Sequence, residues 1–247
     1  MSFRFDGQTV LVSGAGHGLG RAIAQSFAGL GAVVHASDLD AAELAETAAC
    51  HPTIHTRALD LTDRDTAGAW VRGLGRIDVL VNNAGGVAGQ VMRPIEDVTD
   101  AQWDRIFAIN VGAAMTLARA AAPAMKAARG GRIVNISSGA GLAASLTGIQ
   151  AYCSAKHAVV GLTRQLAHEL GPFGITVNSV APGFIRTNEA TERQWESYGA
   201  EGQKALVRNI ALRHLGTAQD IANAVLFFAS PWAAFVSGQI LSVDGGK

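Results

Sequence analysis

The sequence predicts an α/β fold: a doubly wound, Rossmann-like parallel sheet of about seven strands, in a single domain with a short helical lid. Two observations predict it. Short β-branched runs alternate with longer Ala-rich segments along the chain, and strand–helix alternation places helices on both faces of a parallel sheet. Runs such as Val10-Leu11-Val12 and Val33-Val34-His35-Ala36 are apolar at consecutive positions, as strands covered on both sides should be. The expected strands lie at 9–13, 32–37, 53–59, 78–82, 132–137, 175–180 and 239–243. The expected helices lie at 19–30, 41–49, 64–73, 101–129, 152–170 and 218–230. The alternation breaks once, at 184–209, a polar stretch carrying Trp195 and Tyr198 between a strand and a helix. Long insertions in compact domains are often active-site lids. The expectation is one domain over 1–247 with one lid inside it.

Composition narrows the classes of partner. With 247 residues, 49% of them apolar and 16% charged, the chain is globular and long enough to bury a sizeable core. Lys+Arg and Asp+Glu both number 20, so no net field favours nucleic acid or an anionic membrane. Cys50 and Cys153 show neither metal-ligand spacing nor a disulfide framework. His51, His55, His168 and His214 also lack ligand spacing, so no metal is expected. Trp70, Trp103, Phe227 and Phe228 are assigned to core or interface, whereas Trp195 and Tyr198 could cover a substrate. The opening MSFRFDGQTV lacks the order of a secretory leader, and polar residues interrupt each apolar run before the ~20 residues of a membrane helix. The expected setting is soluble, reducing and cytoplasmic, with a small-molecule substrate.

The first strand runs into Ser13-Gly14-Ala15-Gly16-His17-Gly18-Leu19-Gly20 and then into a helix. Glycines there permit a tight turn and let backbone N–H groups approach a pyrophosphate at the helix N-terminus. Gly14, Gly18 and Gly20 give G-x-x-x-G-x-G rather than the G-x-G-x-x-G fingerprint, so by themselves they describe only a turn. An acid downstream adds the ligand. Asp38 ends the second strand, where a carboxylate can accept hydrogen bonds from both hydroxyls of an adenosine ribose. Asp38 could instead cap the helix that begins near Ala41, but Asp40 fits that role better. The cofactor expected is therefore NAD.

Tyr152 and Lys156 stand four apart in a helical segment, which stacks both side chains on one face. A phenol with a free pKa of ~10 is a poor acid–base group near neutrality, and a neighbouring ammonium favours its phenolate. The same spacing is common on solvated helix faces. Its surroundings give it weight here. Asn135-Ile136-Ser137-Ser138, Asn82-Asn83-Ala84-Gly85 and Pro182-Gly183 each end a strand, and with the glycine loop they bring small and polar groups to the carboxyl edge of the sheet. Ligands of open α/β sheets bind there.

These residues make the chain resemble the short-chain dehydrogenase/reductase family over residues 6–246. The matching motifs are S-G-A-G-H-G-L-G at 13–20, N-N-A-G at 82–85, Asn110 in F-A-I-N-V and I-S-S at 136–138. Y-C-S-A-K at 152–156, A-P-G-F-I-R-T at 181–187 and V-D-G-G at 243–246 complete the set. The resemblance implies a seven-stranded parallel sheet, a homotetramer, and hydride exchange between NAD and a secondary alcohol or ketone. It implies that Tyr152 is the general acid/base, with Lys156 as its electrostatic partner and a ribose ligand. Ser138 would bond the substrate oxygen and Asn110 would hold a water linking Lys156 to solvent. Around the cofactor it implies Gly14, His17, Gly18, Leu19 and Gly20 at the phosphates, and Asp38 with Leu39 at the ribose. Asp60 and Leu61 would meet the adenine, and Asn83, Ala84 and Gly85 would line the crevice. Pro182, Gly183, Ile185 and Thr187 would lie at the nicotinamide end. Two departures stand out. The gap from Ser138 to Tyr152 is one residue longer than usual, which keeps Ser137 as an alternative to Ser138, although the I-S-S register favours Ser138. His17 stands where NADP-using members often carry Arg or Lys.

A 3-oxoacyl-carrier-protein reductase would share the fold and catalytic set. It usually prefers NADPH and docks an acidic carrier through basic residues; Arg129 is retained here, but Phe173 stands where Arg often precedes the Gly174 run. A non-catalytic NAD(H)-binding scaffold would tend to lose the Ser, Tyr or Lys, and all three are present. For the substrate, the lid carries Asn188, Glu189, Thr191, Glu192, Arg193, Gln194, Tyr198 and Gln203, while Arg93, Ser145, Thr147 and Gln150 lie near the catalytic face. Such groups suit a small polar alcohol (a sugar, polyol or sugar acid), with Arg93 or Arg193 available for a carboxylate.

Overall fold

The structure, a computed structural model, describes residues 4–247. Its strands are β1 (Thr9–Ser13), β2 (Val33–Asp38), β3 (Ile54–Ala58), β4 (Val79–Asn82), β5 (Gly131–Ile136), β6 (Ile175–Pro182) and β7 (Ile240–Val243). They form one sheet in the order β3-β2-β1-β4-β5-β6-β7, parallel at every pairing. The helices are α1 (Gly18–Gly29), α2 (Ala41–Ala48), α3 (Arg64–Gly73), α4 (Asp100–Phe107), α5 (Ala113–Ala128), α6 (Gln150–Leu170), α7 (Glu189–Ser197), α8 (Gly199–Arg208) and α9 (Ala218–Ala229).

Each central strand divides its side chains between two cores, because successive residues point to opposite faces. Val10 and Val12 of β1 join Val34, Val81, Val134 and Val180 in a core closed by Ile23 and Phe27 of α1 and Val225 and Phe228 of α9. Leu11, between the two valines, faces the other core with Leu80, Ile133 and Val177, closed by Val71, Leu117, Met125 and Leu170. The register aligns these residues laterally: Leu11 pairs with Leu80, Leu80 with Ile133 and Ile133 with Val177. A third, small cluster of Ile106, Ile149, Ala151 and Ala155 packs Trp103, Phe107 and Tyr152 against it. Trp70 and Phe227 lie partly buried against the two large cores. The edge strands differ from the interior ones: β3 exposes His55 through Ala58, and β7 exposes Leu241 and Ser242.

The helix expected over 101–129 is interrupted. α4 and α5 are joined by a π turn, Ala108–Gly112, in which the Ala113 N–H reaches back five residues to the Ala108 carbonyl. Two β-branched residues and a glycine in Ile109-Asn110-Val111-Gly112 weaken the α-helical preference there. The run Asp100–Ala128 is long and apolar enough to cross a membrane by length and composition, contrary to the sequence expectation, with half of its most apolar window buried inside the fold. Its apolarity serves the sheet, since α5 supplies Leu117, Ala121 and Met125 to the core. The segment 184–209 contains α7 and α8.

Candidate active site

The strand order brings the ends of β1, β4, β5 and β6 side by side at the carboxyl edge of the sheet. The chain reverses its winding between β1 and β4, the position where crevices open in such folds. That seam is held by Ser13, whose buried hydroxyl accepts from the N–H groups of Asn83 and Ala84, each at 3.1 Å. In return the Asn83 amide donates to the carbonyls of Ser13 (3.1 Å) and Gly14 (2.8 Å). Gly14 turns with φ 64° and lies so near β4 that a Cβ on it would stand 2.8 Å from Ala84 Cα. A Cβ on Gly20 would run into the Gly14 carbonyl oxygen, so α1 begins directly against the loop.

The start of α1 is open to an anion. His17, the residue before it, is extended and exposed, makes no side-chain cap, and no acid occupies the first turn. By contrast Asp40 caps α2 through Ala42 (2.8 Å) and Glu43 (3.1 Å), the role read from the sequence. Asp38 is thereby free of that helix. Its Oδ2 accepts from the Gly16 N–H at 2.8 Å and its Oδ1 from the Leu39 N–H at 2.7 Å, with Leu39 itself exposed. Asp60 accepts from the Thr62 N–H (2.8 Å) and hydroxyl (2.7 Å), which hold its carboxyl below the usual range, beside buried Leu61. On the far side, Gly183 packs against Asp244, and Ile185 is buried. A Cβ on Gly18 would lie 3.1 Å from the Thr187 hydroxyl, so the segment after β6 closes back onto the loop. A narrow glycine turn, an uncapped helix start and a carboxylate at the end of β2 fit a dinucleotide.

Ser138 and Tyr152 meet. The Ser138 hydroxyl lies close enough to the Tyr152 phenol to favour its ionised form, and it accepts from the Ala140 N–H at 3.1 Å. Ser137 points elsewhere: its hydroxyl donates to the Lys156 carbonyl at 3.1 Å. The extra residue between Ser138 and Tyr152 is taken up in a loop where Ser145 and Thr147 hydroxyls bond at 2.7 Å and Gly148 turns with φ 67°. Lys156 is buried, with Nζ donating to the Ile136 carbonyl at 3.0 Å and lying 5.7 Å from the Tyr152 ring centre. Burial pushes the Lys156 ammonium down to about 8. It also pushes the Tyr152 phenol up, and the Ser138 hydroxyl offsets only part of that rise. The phenol is thus raised by burial rather than lowered by Lys156 as the spacing predicts.

Asn110 sits in the π turn, a feature common at functional sites. Both ends of its amide are engaged. Oδ1 accepts from the Gly86 N–H (3.0 Å), and Nδ2 donates to the carbonyls of Gly86 and Ile106 (both 2.9 Å). A Cβ on Gly85 would stand 2.5 Å from Asn110 Oδ1 and 3.4 Å from Lys156 Nζ, so only a bare backbone fits between them. Beneath the site, buried side chains form a chain in which Asn82 donates to Asn135 (2.8 Å) and Asn135 to Thr163 (2.8 Å). Sequence reading gave no role to Ser13, Thr163 or Arg21; Ser13 opens the glycine motif, but nothing in spacing marks the other two.

The polar groups of 184–209 mostly satisfy one another. Asn188 caps α7 through Thr191 (2.9 Å), Arg186 pairs with Glu192 (2.6 Å), Arg193 with Glu189 (3.1 Å), and Gln194 donates to the Tyr198 hydroxyl (2.6 Å). Phe184 packs against Trp195 and Tyr198, with ring centres 6.1 and 5.9 Å away. Arg93 offers its carbonyl to Gln150 (2.9 Å), and its guanidinium has no partner among the described residues.

This fold and side-chain set define a nicotinamide-dependent oxidoreductase of the α/β class. Residues 14–247 match the family described as enoyl-(acyl carrier protein) reductase. The sorbitol dehydrogenase of Cereibacter sphaeroides is 35% identical, over 99% of this chain and 98% of that protein. A solved 3-oxoacyl-[acyl-carrier protein] reductase from Brucella melitensis with bound NAD is 33% identical, with a TM-score of 0.87 over 98% of this chain and 91% of that one. A solved protein from Beutenbergia cavernae, described as an NAD(P)-dependent gluconate 5-dehydrogenase, carries NADP at low occupancy; it is 37% identical, with a TM-score of 0.87 over 98% and 97%. The chain belongs to the short-chain dehydrogenase/reductase family and is an enzyme acting on alcohol or ketone groups.

Burying Lys156 has a thermodynamic sign that can be checked. Its folded value of about 8 lies below the ordinary 10.5, so the unfolded chain binds the extra proton between those limits and stability rises with pH there. Below pH 8 the full cost is present, on the order of 3 kcal/mol. Lys156→Met is expected to melt higher than the parent protein at pH 7, with the margin shrinking towards pH 10. A margin that is absent at pH 7, or constant across that range, contradicts the assignment.

Proposed function

We propose that this enzyme is an NAD-dependent dehydrogenase that interconverts a secondary alcohol and a ketone, within one domain covered by a lid at 184–209. The observation that carries it is the convergence of Ser138 and Tyr152 one helical turn from buried Lys156. Tyr152 holds the proton that passes to or from the substrate oxygen. Ser138 donates a hydrogen bond to that oxygen and stabilises its developing charge. Lys156 would hold the nicotinamide ribose and, when protonated, would supply positive charge near the phenol. Asn110 fixes the loop at Gly86 and would hold the water that links Lys156 to solvent. The cofactor, when bound, donates or accepts the hydride. Gly14, Gly18, Leu19 and Gly20 would hold its phosphates beside His17, Asp38 its adenosine ribose, and Ile185 and Thr187 its nicotinamide end. A homotetramer in the cytoplasm fits the exposed apolar Trp232, Phe235 and Leu241 near the β7 edge and the two free cysteines.

For the substrate we favour a small polar secondary alcohol, a polyol or a sugar acid. The unpaired Arg93 guanidinium, on a residue whose carbonyl accepts from Gln150, and the Ser145 and Thr147 hydroxyls support it. The lid supports it less than the sequence suggested, because Arg193 and its neighbours are already paired. A second reading, an acyl thioester or other substrate with an apolar body, is favoured by Val91, Met92, Ile95, Leu142 and Leu146. These stand between 46% and 67% exposed on the loops after β4 and β5.

Three measurements test these readings. Tyr152→Phe should lose about 10²- to 10⁴-fold in turnover while still binding NADH; near-normal kcat would remove Tyr152 from the mechanism. A 2′-phosphate roughly 5 Å from Asp38 costs ~3 kcal/mol per unit charge, before screening, at an effective dielectric of ~20, so kcat/KM should favour NAD over NADP by about a hundredfold. Asp38→Ser should relax that preference, and equal values in the unmutated enzyme would refute it. Turnover of polyols and sugar acids, with none of 3-oxoacyl thioesters, decides for the polar substrate; the opposite pattern decides for the second reading.

A further inference from the structure

The sequence offers no Arg or Lys at position 17, yet a guanidinium stands behind the phosphate loop. Arg21, in the first turn of α1, folds back on it: Nε and Nη2 donate to the Gly16 carbonyl at 2.9 and 2.5 Å. Nη2 also reaches Glu43 Oε2 at 2.5 Å, and Nη1 reaches Glu46 Oε2 at 2.9 Å. Gly16 is shared between opposite charges, because its N–H donates to Asp38 Oδ2 at 2.8 Å. Asp38 and Arg21 therefore sit at the two ends of one glycine. Glu43 lies beside them: a Cβ on Gly16 would be 2.9 Å from the Asp38 carboxylate and 3.1 Å from Glu43 Cβ. Two carboxylates, Glu43 and Glu46, pair with the guanidinium and a third, Asp38, stands across Gly16, a net of two negative charges near the place assigned to the adenosine ribose.

Resting on the NAD reading above, we propose that Glu43 is a second specificity-determining residue. It occupies the Arg21 guanidinium, denying a 2′-phosphate a cation within reach of the loop, and adds its own negative charge beside Asp38. Arg21 does not need Glu43 to stay in place. Its bonds to the Gly16 carbonyl remain, Nε also donates to the Thr47 hydroxyl (3.2 Å), and that hydroxyl itself donates to the Ala15 carbonyl (2.8 Å). Removing the Glu43 charge thus leaves a tethered guanidinium with spare donors. Glu46 is the weaker partner, 66% exposed against 39% for Glu43, and water screens it more.

Titration calorimetry of the full chain with NAD⁺ and NADP⁺ reads the effect as a ratio of dissociation constants. Glu43→Gln should shift that ratio towards NADP⁺ by roughly tenfold. The gain should shrink as salt rises from about 50 mM to about 500 mM, which a merely structural role would not produce. Adding Arg21→Met to Glu43→Gln restores the local charge balance and should return the ratio towards its starting value. Glu43→Ala serves the same comparison if the glutamine variant does not fold. An unchanged ratio in a protein whose parent still prefers NAD⁺ overturns this proposal alone; equal affinities in the parent overturn it together with the NAD reading.

Discussion

The site depends on a buried polar seam between β1 and β4. There Ser13 and Asn83 exchange hydrogen bonds across strands 70 residues apart in sequence. A buried donor or acceptor left unmet costs about 1–3 kcal/mol, so each of these groups holds the other in place. The glycine loop leaves this seam in one direction and the catalytic crevice in the other. Because Gly14 and Ala84 meet backbone to backbone, neither can shift without carrying the other. The glycine loop and the floor of the crevice are in that sense one rigid piece.

The charges above that floor are held against their preference for water. Desolvation moves the Lys156 ammonium and the Tyr152 phenol in opposite directions on the pH scale, and in both cases towards the neutral form. Packing alone would choose apolar residues at such positions. A buried lysine whose ammonium donates to a single strand carbonyl marks a place where function outweighs stability.

Much of this was legible in the sequence, and the reason is burial on two faces. Strands covered on both sides write consecutive apolar residues, so β1, β4 and β6 could be read within two residues of their ends. The ends slipped where a polar residue continues the ladder, as Asp38 does opposite Ala58. Ser138, Tyr152 and Lys156 were visible through a strand end and a four-residue spacing. What stayed hidden were bonds between side chains and distant backbone: Arg21 on Gly16, Asn110 on Gly86, Asn83 on Ser13. Spacing carries no trace of these, since an arginine on a helix reads as solvated whether or not it folds back. Residues 184–209 hide their pairing for the same reason, because a count of polar residues cannot show that they bond one another.

The π turn at Ala108–Gly112 places one surplus residue inside an otherwise helical run. Deleting any residue there would restore an ordinary α-helix and rotate everything upstream by about 100° relative to α5. Asn110 would swing away from Gly86, and Trp103 and Phe107 would leave the small cluster that supports Tyr152. Across descendants of this gene, the segment should therefore accept changes of residue far more readily than changes of length.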